Sequence, residues 1–163
     1  MTRIIADISL SIDGFVTGPG PSLENGLGTG GEALHTWAFS DDPDDRQILR
    51  DGTARSGAVI LGRNLFDIVD GPGGWDDTIG YGAREVGKPA FFVVTSSPPE
   101  SVRLTGLDWT FVSTGLPDAV AAAREQAEAA NKDVILMGGG ATIASALESG
   151  LVDVLTLHLA PSS

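Results

Sequence analysis

Three segments of the chain carry residue types able to hold an anion. In VILMGGGATIASALESG (134–150), a continuous apolar run meets Gly138, Gly139 and Gly140, and a small-residue segment follows at helical spacing. Glycines where a strand hands over to a helix leave the N–H groups of the helix N-terminus open to a phosphate, which the macrodipole favours. The same glycines suit a tight turn with close helix–sheet packing equally well. In LGRNLF (61–66), Gly62 turns and Arg63 emerges at the start of a helical turn. Arginine binds phosphate through a planar fork of donors. In VVTSSPP (93–99), Thr95, Ser96 and Ser97 end a strand in three hydroxyls, which donate to a phosphate or cap a turn. Each segment falls at the C-terminal end of a predicted parallel strand, the edge where open α/β sheets bind ligands. Brought together there, they would make one anionic-ligand site.

The common nucleotide fingerprints are missing. GGGATI lacks the G-x-G-x-x-G spacing, no acidic residue follows at the ribose-binding distance, and no Gly-Lys-Ser/Thr follows the glycines. Among the carboxylates, Asp13 stands in SIDGFV, where Asp-Gly is first a turn signal. Asp41, Asp42, Asp44 and Asp45 crowd the front of a predicted helix, where capping and dipole compensation account for most of them. One of them facing a pocket would bind or protonate a substrate. His35 and His158 are far apart and suggest neither a metal site nor a triad. His158, on the alternating run LTLHLA, reads as structural. His35 and Trp37 follow a long loop and either line a pocket or anchor it.

The totals narrow the partners. A net charge of −12, from 22 acidic and 10 basic residues, argues against nucleic acid or an anionic membrane. A small phosphorylated ligand needs only a few donors in one place. With no cysteine, disulfides, thiolate metal sites and a thiol nucleophile are all excluded. MTRIIADISLS is a short apolar run broken by Asp7 and lacks signal-peptide features. No stretch approaches the ~20 apolar residues that span a bilayer. The expectation is a cytoplasmic protein acting on a small molecule.

The elements that must position these residues can be read from periodicity. Strands are predicted at Arg3–Leu10, Ala58–Leu61, Ala90–Thr95, Trp109–Val112, Val134–Met137 and Val154–Ala160. Most are continuous apolar runs, as expected of strands buried on both faces. Helices are predicted at Asp44–Arg55, Leu65–Val69, Pro117–Asn131 and Ala141–Glu148, with Thr114 or Asp118 capping the third and Gly150 stopping the fourth. Alternating strands and helices give one domain, a three-layer α/β sandwich around a central, mostly parallel sheet. The Gly/Pro-rich stretch Thr17–Gly31 is long for a plain connection and reads as a binding loop or lid. The loop Asp70–Lys88 is also Gly-rich and carries Trp75 and Tyr81.

In order and spacing, S-x-D-G-F (11–15), V-I-L-G-R (59–63) and the triple glycine with its helix resemble the dihydrofolate reductase-like superfamily. The resemblance covers essentially the whole chain. It is nearest to the branch holding the C-terminal reductase domain of bacterial riboflavin biosynthesis and its stand-alone relatives. It implies NADPH as cofactor. Arg63 with Ser96 and Ser97, beside Thr95, would hold the adenosine 2′-phosphate. Gly62, Asn64 and Leu65 would line the diphosphate path, and amides of Gly139, Gly140, Ala141 and Thr142, after Gly138, would face it. Ile12–Gly18 would match the mobile loop over the nicotinamide, and Ala6 the residue beside its carboxamide.

The chain also departs from the family pattern. Leu65 stands where many members have threonine, and a glycine-rich insertion followed by GEALHTWAF replaces a Trp-Pro-like pair. Family members continue with a glycine-containing turn and antiparallel strands, so closing strands are expected after residue 163. The resemblance also implies a homodimer.

The expected activity is hydride transfer from NADPH to a C=N or C=O carbon of a small planar heterocycle, pterin- or pyrimidine-like. Water, or an acid such as Asp44 or Asp45, would supply the proton, and Asp13 and Trp37 would meet the substrate. Two alternatives stay open at this level: an NADP(H)-binding protein without turnover, and dihydrofolate reductase activity proper. A purely structural module is a third, more remote reading.

Overall fold

The computed structural model describes residues 1–76, 80–81 and 88–161. The described strands form one sheet, all parallel, in the order β4-β3-β2-β5-β1-β6. They are β1 (Ile4–Ser11), β2 (Ser56–Gly62), β3 (Ala90–Val94), β4 (Trp109–Val112), β5 (Asp133–Gly138) and β6 (Val154–Ala160). The chain starts mid-sheet, crosses to β2, builds outward through β3 and β4, returns to insert β5 between β2 and β1, and ends on β6. The expected α/β sandwich is therefore present, and every predicted strand is found.

Continuous apolar runs make the central strands because both faces are covered. Ala58, Ile60, Val134, Leu136, Ile4 and Ala6 face one helical layer; Val59, Leu61, Ile135 and Ile5 face the other. On the first side lies α3 (Leu116–Ala129), whose buried stripe Ala119, Val120, Ala123 and Ala127 recurs at helical spacing. Small residues let it sit close to the sheet: a Cβ on Gly57 would come 2.8 Å from Ala127 Cα. The second side is aromatic. Phe66 of α2 (Arg63–Val69) packs edge-on to Trp109 and Phe111 at 5.0 and 5.2 Å.

The N-terminal edge of the sheet is tied by carboxylates. Asp133 accepts from the Arg3 backbone N–H at 2.9 Å and from its guanidinium at 2.8 Å. Asp153 accepts from Ile4 N–H at 2.8 Å. Burial works to raise the Asp133 pKa, but the bonds from Arg3 outweigh it and hold the carboxyl below its ordinary value.

Several local expectations change. α1 runs Pro43–Ala54, with Asp42 as the cap: its carboxylate accepts from Asp44 N–H at 2.8 Å, and Pro43 opens the helix. Neither Thr114 nor Asp118 caps α3; Gly115 holds that position, at φ 113°, without a side-chain bond. Gly31–Phe39, which follows the glycine-rich loop and has no predicted element, is a 3₁₀ helix, here η1. Gly150 follows α4 (Gly140–Glu148) at φ 66°, the left-handed stop the sequence signals. On β6 the alternation is strict: Val154, Thr156 and His158 are half-buried, while Leu155, Leu157 and Leu159 are exposed. Among the described residues, no helix is long and apolar enough to cross a membrane.

Candidate active site

The three segments singled out in the sequence meet at the C-terminal edge of the sheet. Because β2 and β3 are parallel neighbours, with Gly62 paired to Val94, Arg63 emerges beside Thr95. The guanidinium donates to Thr95 Oγ1 at 3.3 Å and to the Ser97 carbonyl. Asp67, one turn along α2, takes its Nε at 2.8 Å. Thr95 is buried, and its hydroxyl also bonds the Ser97 backbone, so the turn after β3 is pinned by the residue that meets Arg63. Ser96 is exposed beside this knot. The Arg63 side chain stays one-third exposed, which leaves donors within reach of a ligand.

The glycines lie on the other side of β2, where β5 pairs Gly138 with Leu61. The Gly138–Gly139 peptide is cis, and Gly138 has φ 135°, which favours glycine. Gly139 is different. Its φ is −72°, and a Cβ built there would meet nothing within 4 Å. Neither the backbone nor the packing demands glycine at 139, so the space above it is an open hollow at the start of α4. Gly62 is crowded instead: Thr142 Oγ1 occupies the room a side chain would need. Val16 lies over the far wall: a Cβ on Gly140 would come 3.3 Å from its methyl group. Leu65 packs on the aromatic side with a methyl 3.4 Å from the position of a Gly138 Cβ, and Asn64 is exposed. Donors at a helix N-terminus, beside an arginine, above a hollow, suit a diphosphate with a further phosphate.

The glycine-rich loop is built to fold on itself. Gly18 N–H donates to the Leu27 carbonyl at 2.7 Å, and a Cβ on Gly18 would meet the Thr29 carbonyl at 2.1 Å. Gly18 is thus required by the loop itself. Asp13 serves the turn before it. Its carboxylate accepts from Ser11 Oγ at 2.5 Å, and that oxygen accepts from Phe15 N–H at 2.9 Å. Ala6 is wholly buried, in register with Leu136 of β5 and Leu155 of β6.

A second cluster, invisible to local spacing, stands next along the edge. Asp7 Oδ1 and His158 Nε2 are 2.8 Å apart. Trp37 of η1 stacks on the His158 ring, centroids 4.2 Å apart and planes 19° apart, and donates from Nε1 to Ser9 Oγ at 3.0 Å. One face of Trp37 is therefore taken. Burial, and secondarily His158, hold the His35 pKa below its ordinary value. Asp44 and Asp45 lie apart from this cluster, in the first turn of α1. Asp44 is exposed, and Asp45 accepts from Ser40 Oγ at 2.7 Å. Among the described residues, no group of acids and histidines is arranged to hold a metal ion. A cavity lined by Trp75, Tyr81, Arg103 and Leu107 involves none of the edge residues.

Comparison with known proteins agrees with this architecture. The chain superposes on the crystal structure of a putative riboflavin biosynthesis protein from Shewanella sp. PV-4 with a TM-score of 0.61. The match has 20% sequence identity and covers 98% of this chain and 77% of that one. At that identity the likeness bears on the fold, which is dihydrofolate reductase-like. No curated protein matches the chain. The family model described as the RibD C-terminal domain matches residues 2–162, from β1 and the Asp13 turn through the glycine hollow to β6. The chain belongs to the RibD C-terminal domain family.

Proposed function

We propose that this protein is an NADPH-dependent reductase that passes hydride to a C=N or C=O carbon of a small planar heterocycle, pterin- or pyrimidine-like. The observation carrying this reading is the junction of Arg63, Thr95 and Ser97 with the open hollow at Gly139 along one sheet edge. Family membership and the family resemblance support it.

Arg63, with the hydroxyl-bearing turn Thr95–Ser97, would hold the adenosine 2′-phosphate. Backbone amides of Gly140, Ala141 and Thr142 face the diphosphate, where the dipole of α4 adds partial positive charge. Gly139 leaves room for the diphosphate to approach the main chain. Val16 brings the segment Ile12–Gly18 against Gly140, and that segment would cover the nicotinamide. The bound nicotinamide supplies the hydride, and the protein supplies orientation and electrostatics.

The test is direct. NADPH should raise the melting temperature, as ligand linkage requires, and more than NADH does at equal concentration. Oxidation of NADPH should then be followed across pterins, pyrimidines and quinones. A protein with no thermal response to NADPH is not this reductase. One that binds NADPH yet reduces nothing in the panel is a binding protein without turnover.

A further inference from the structure

We propose that Asp7 and His158 form the proton-donating pair of the reduction: Asp7 orients the imidazole, and His158 protonates the nitrogen or oxygen of the bond whose carbon receives hydride. This inference rests on the reductase reading above.

Position is the first argument. Across the edge, the order is Thr95 and Ser97 after β3, Gly62 and Arg63 after β2, Gly138 to Gly140 after β5, then β1, then β6. Neighbouring strands are about 4.8 Å apart. A dinucleotide held by its monophosphate at β3 and β2, and by its diphosphate at β5, carries its other end on to β1. The group it reduces then lies toward β6. Asp7 is on β1 and His158 on β6, facing the same side of the sheet.

Geometry is the second argument. The carboxylate takes Nε2 at 2.8 Å, which fixes the ring and leaves Nδ1 as its other hydrogen-bonding atom. Stacking on Trp37 holds the ring plane, and Trp37 is itself tied to Ser9. A carboxylate that orients an imidazole is an arrangement that general acids and bases use. Both side chains are partly exposed, 29% for Asp7 and 15% for His158, so solvent can restore a proton. The ionisable groups facing the pair are His35 from η1 and Tyr81 from the loop after α2, whose phenol senses Asp7. On its own strand, Val154 and Thr156 share the His158 face and carry no charge.

The chemistry balances. Hydride adds to the substrate carbon, and the π electron pair of the C=N or C=O bond moves to the heteroatom. That atom takes the proton of the His158 imidazolium, leaving neutral imidazole. The two electrons come from a reduced nicotinamide dinucleotide, which becomes its oxidised form, and water returns the proton to His158.

One variant of the full chain, His158→Gln, tests the pair. Without substrate, tryptophan emission is followed against pH in a background with Trp75 and Trp109 replaced by Phe, so that Trp37, stacked on the imidazole, is the reporter. That background should show a transition that His158→Gln abolishes. With NADPH and 7,8-dihydropterin, kcat of His158→Gln should fall roughly a hundredfold, the scale of lost general-acid catalysis. NADPH affinity should stay within about twofold, as expected when only a transition-state interaction is removed. An unchanged kcat and pH–rate profile in His158→Gln, with NADPH still bound, overturns the pair alone. A wild type that binds NADPH but never reduces the dihydropterin also overturns it. A wild type that binds no NADPH overturns the reductase reading as well.

Discussion

A side chain on Gly62 would place its Cβ 2.5 Å from Thr142 Oγ1. Two segments 80 positions apart in sequence thus share one contact, the turn that releases Arg63 and the first turn of α4. Gly62→Ala has to displace the Thr142 hydroxyl, which stands at the helix end that would face a diphosphate. Gly139→Ala meets nothing. The two changes should therefore separate folding from binding. Gly139→Ala should shift the melting temperature by no more than ~3 °C, the size of a change within about 1 kcal/mol for a domain of this length. Its NADPH affinity should drop about tenfold as the methyl group fills the hollow, a loss of about 1.4 kcal/mol. Gly62→Ala should lower both. Thermal melts and NADPH titrations on the two variants check this, and normal affinity in Gly139→Ala would remove the cradle from the hollow.

Arg63 should discriminate between cofactors. In the proposed reading its guanidinium would meet the 2′-phosphate, which NADPH carries and NADH lacks. Hydrogen bonds to charged groups contribute roughly 1.5–3 kcal/mol, so Arg63→Ala should weaken NADPH about ten- to a hundredfold. NADH, which lacks the phosphate, should bind the variant as it binds the wild type. Parallel titrations give the ratio. Equal losses for both dinucleotides would mean that Arg63 only pins the turn after β3 through Thr95 and Ser97.

The fold was legible where burial leaves a local mark. Val59–Leu61 and Val134–Leu136 are covered on both faces, so their apolar runs announce strands, and parallel strands place their C-terminal ends together. That is why Arg63, Thr95 and the glycines could be joined from sequence. Gly31–Phe39 escaped because its buried residues, Gly31 and Leu34, are too few to show a period. The Asp7–His158 pair escaped for another reason. Its members are 151 positions apart, and neither has a local partner that marks it as paired. Alternation in LTLHLA shows that His158 faces away from the leucines, but not what it faces.

The tie between Arg3 and Asp133 should make stability sensitive to acid. The folded carboxyl lies below its ordinary value, so its contribution is full above that value and is lost as the pH falls through the depressed one. Replacing Asp133 by Asn leaves the Arg3 groups without a carboxylate and should cost about 1–2 kcal/mol at neutral pH, allowing for a half-exposed Arg3. The cost should shrink toward pH 3. Urea unfolding of both proteins between pH 3 and 7 measures it, and a pH-independent difference would show that packing at the strand end, not charge, is responsible.

Tyr81 should govern stability at the alkaline end. Its ring stands edge-on to Phe91 at 6.4 Å and its hydroxyl meets Ser56 Oγ at the start of β2. Burial pushes the phenol up to about 12, against a smaller opposing effect of the Ser56 bond. The folded state therefore keeps the proton that the unfolded chain releases near pH 10. Stability linked to Tyr81 is fully present below about pH 10 and is lost as the pH rises toward 12. A shift of this size corresponds to roughly 2–3 kcal/mol at most. Tyr81→Phe should cost about 1 kcal/mol at pH 8, through the lost bond to Ser56, and should flatten the decline above pH 10. Urea unfolding from pH 8 to 11 follows both effects. If Tyr81→Phe and wild type lose stability in parallel above pH 10, the alkaline response comes from other groups and the phenol is not held protonated by the fold.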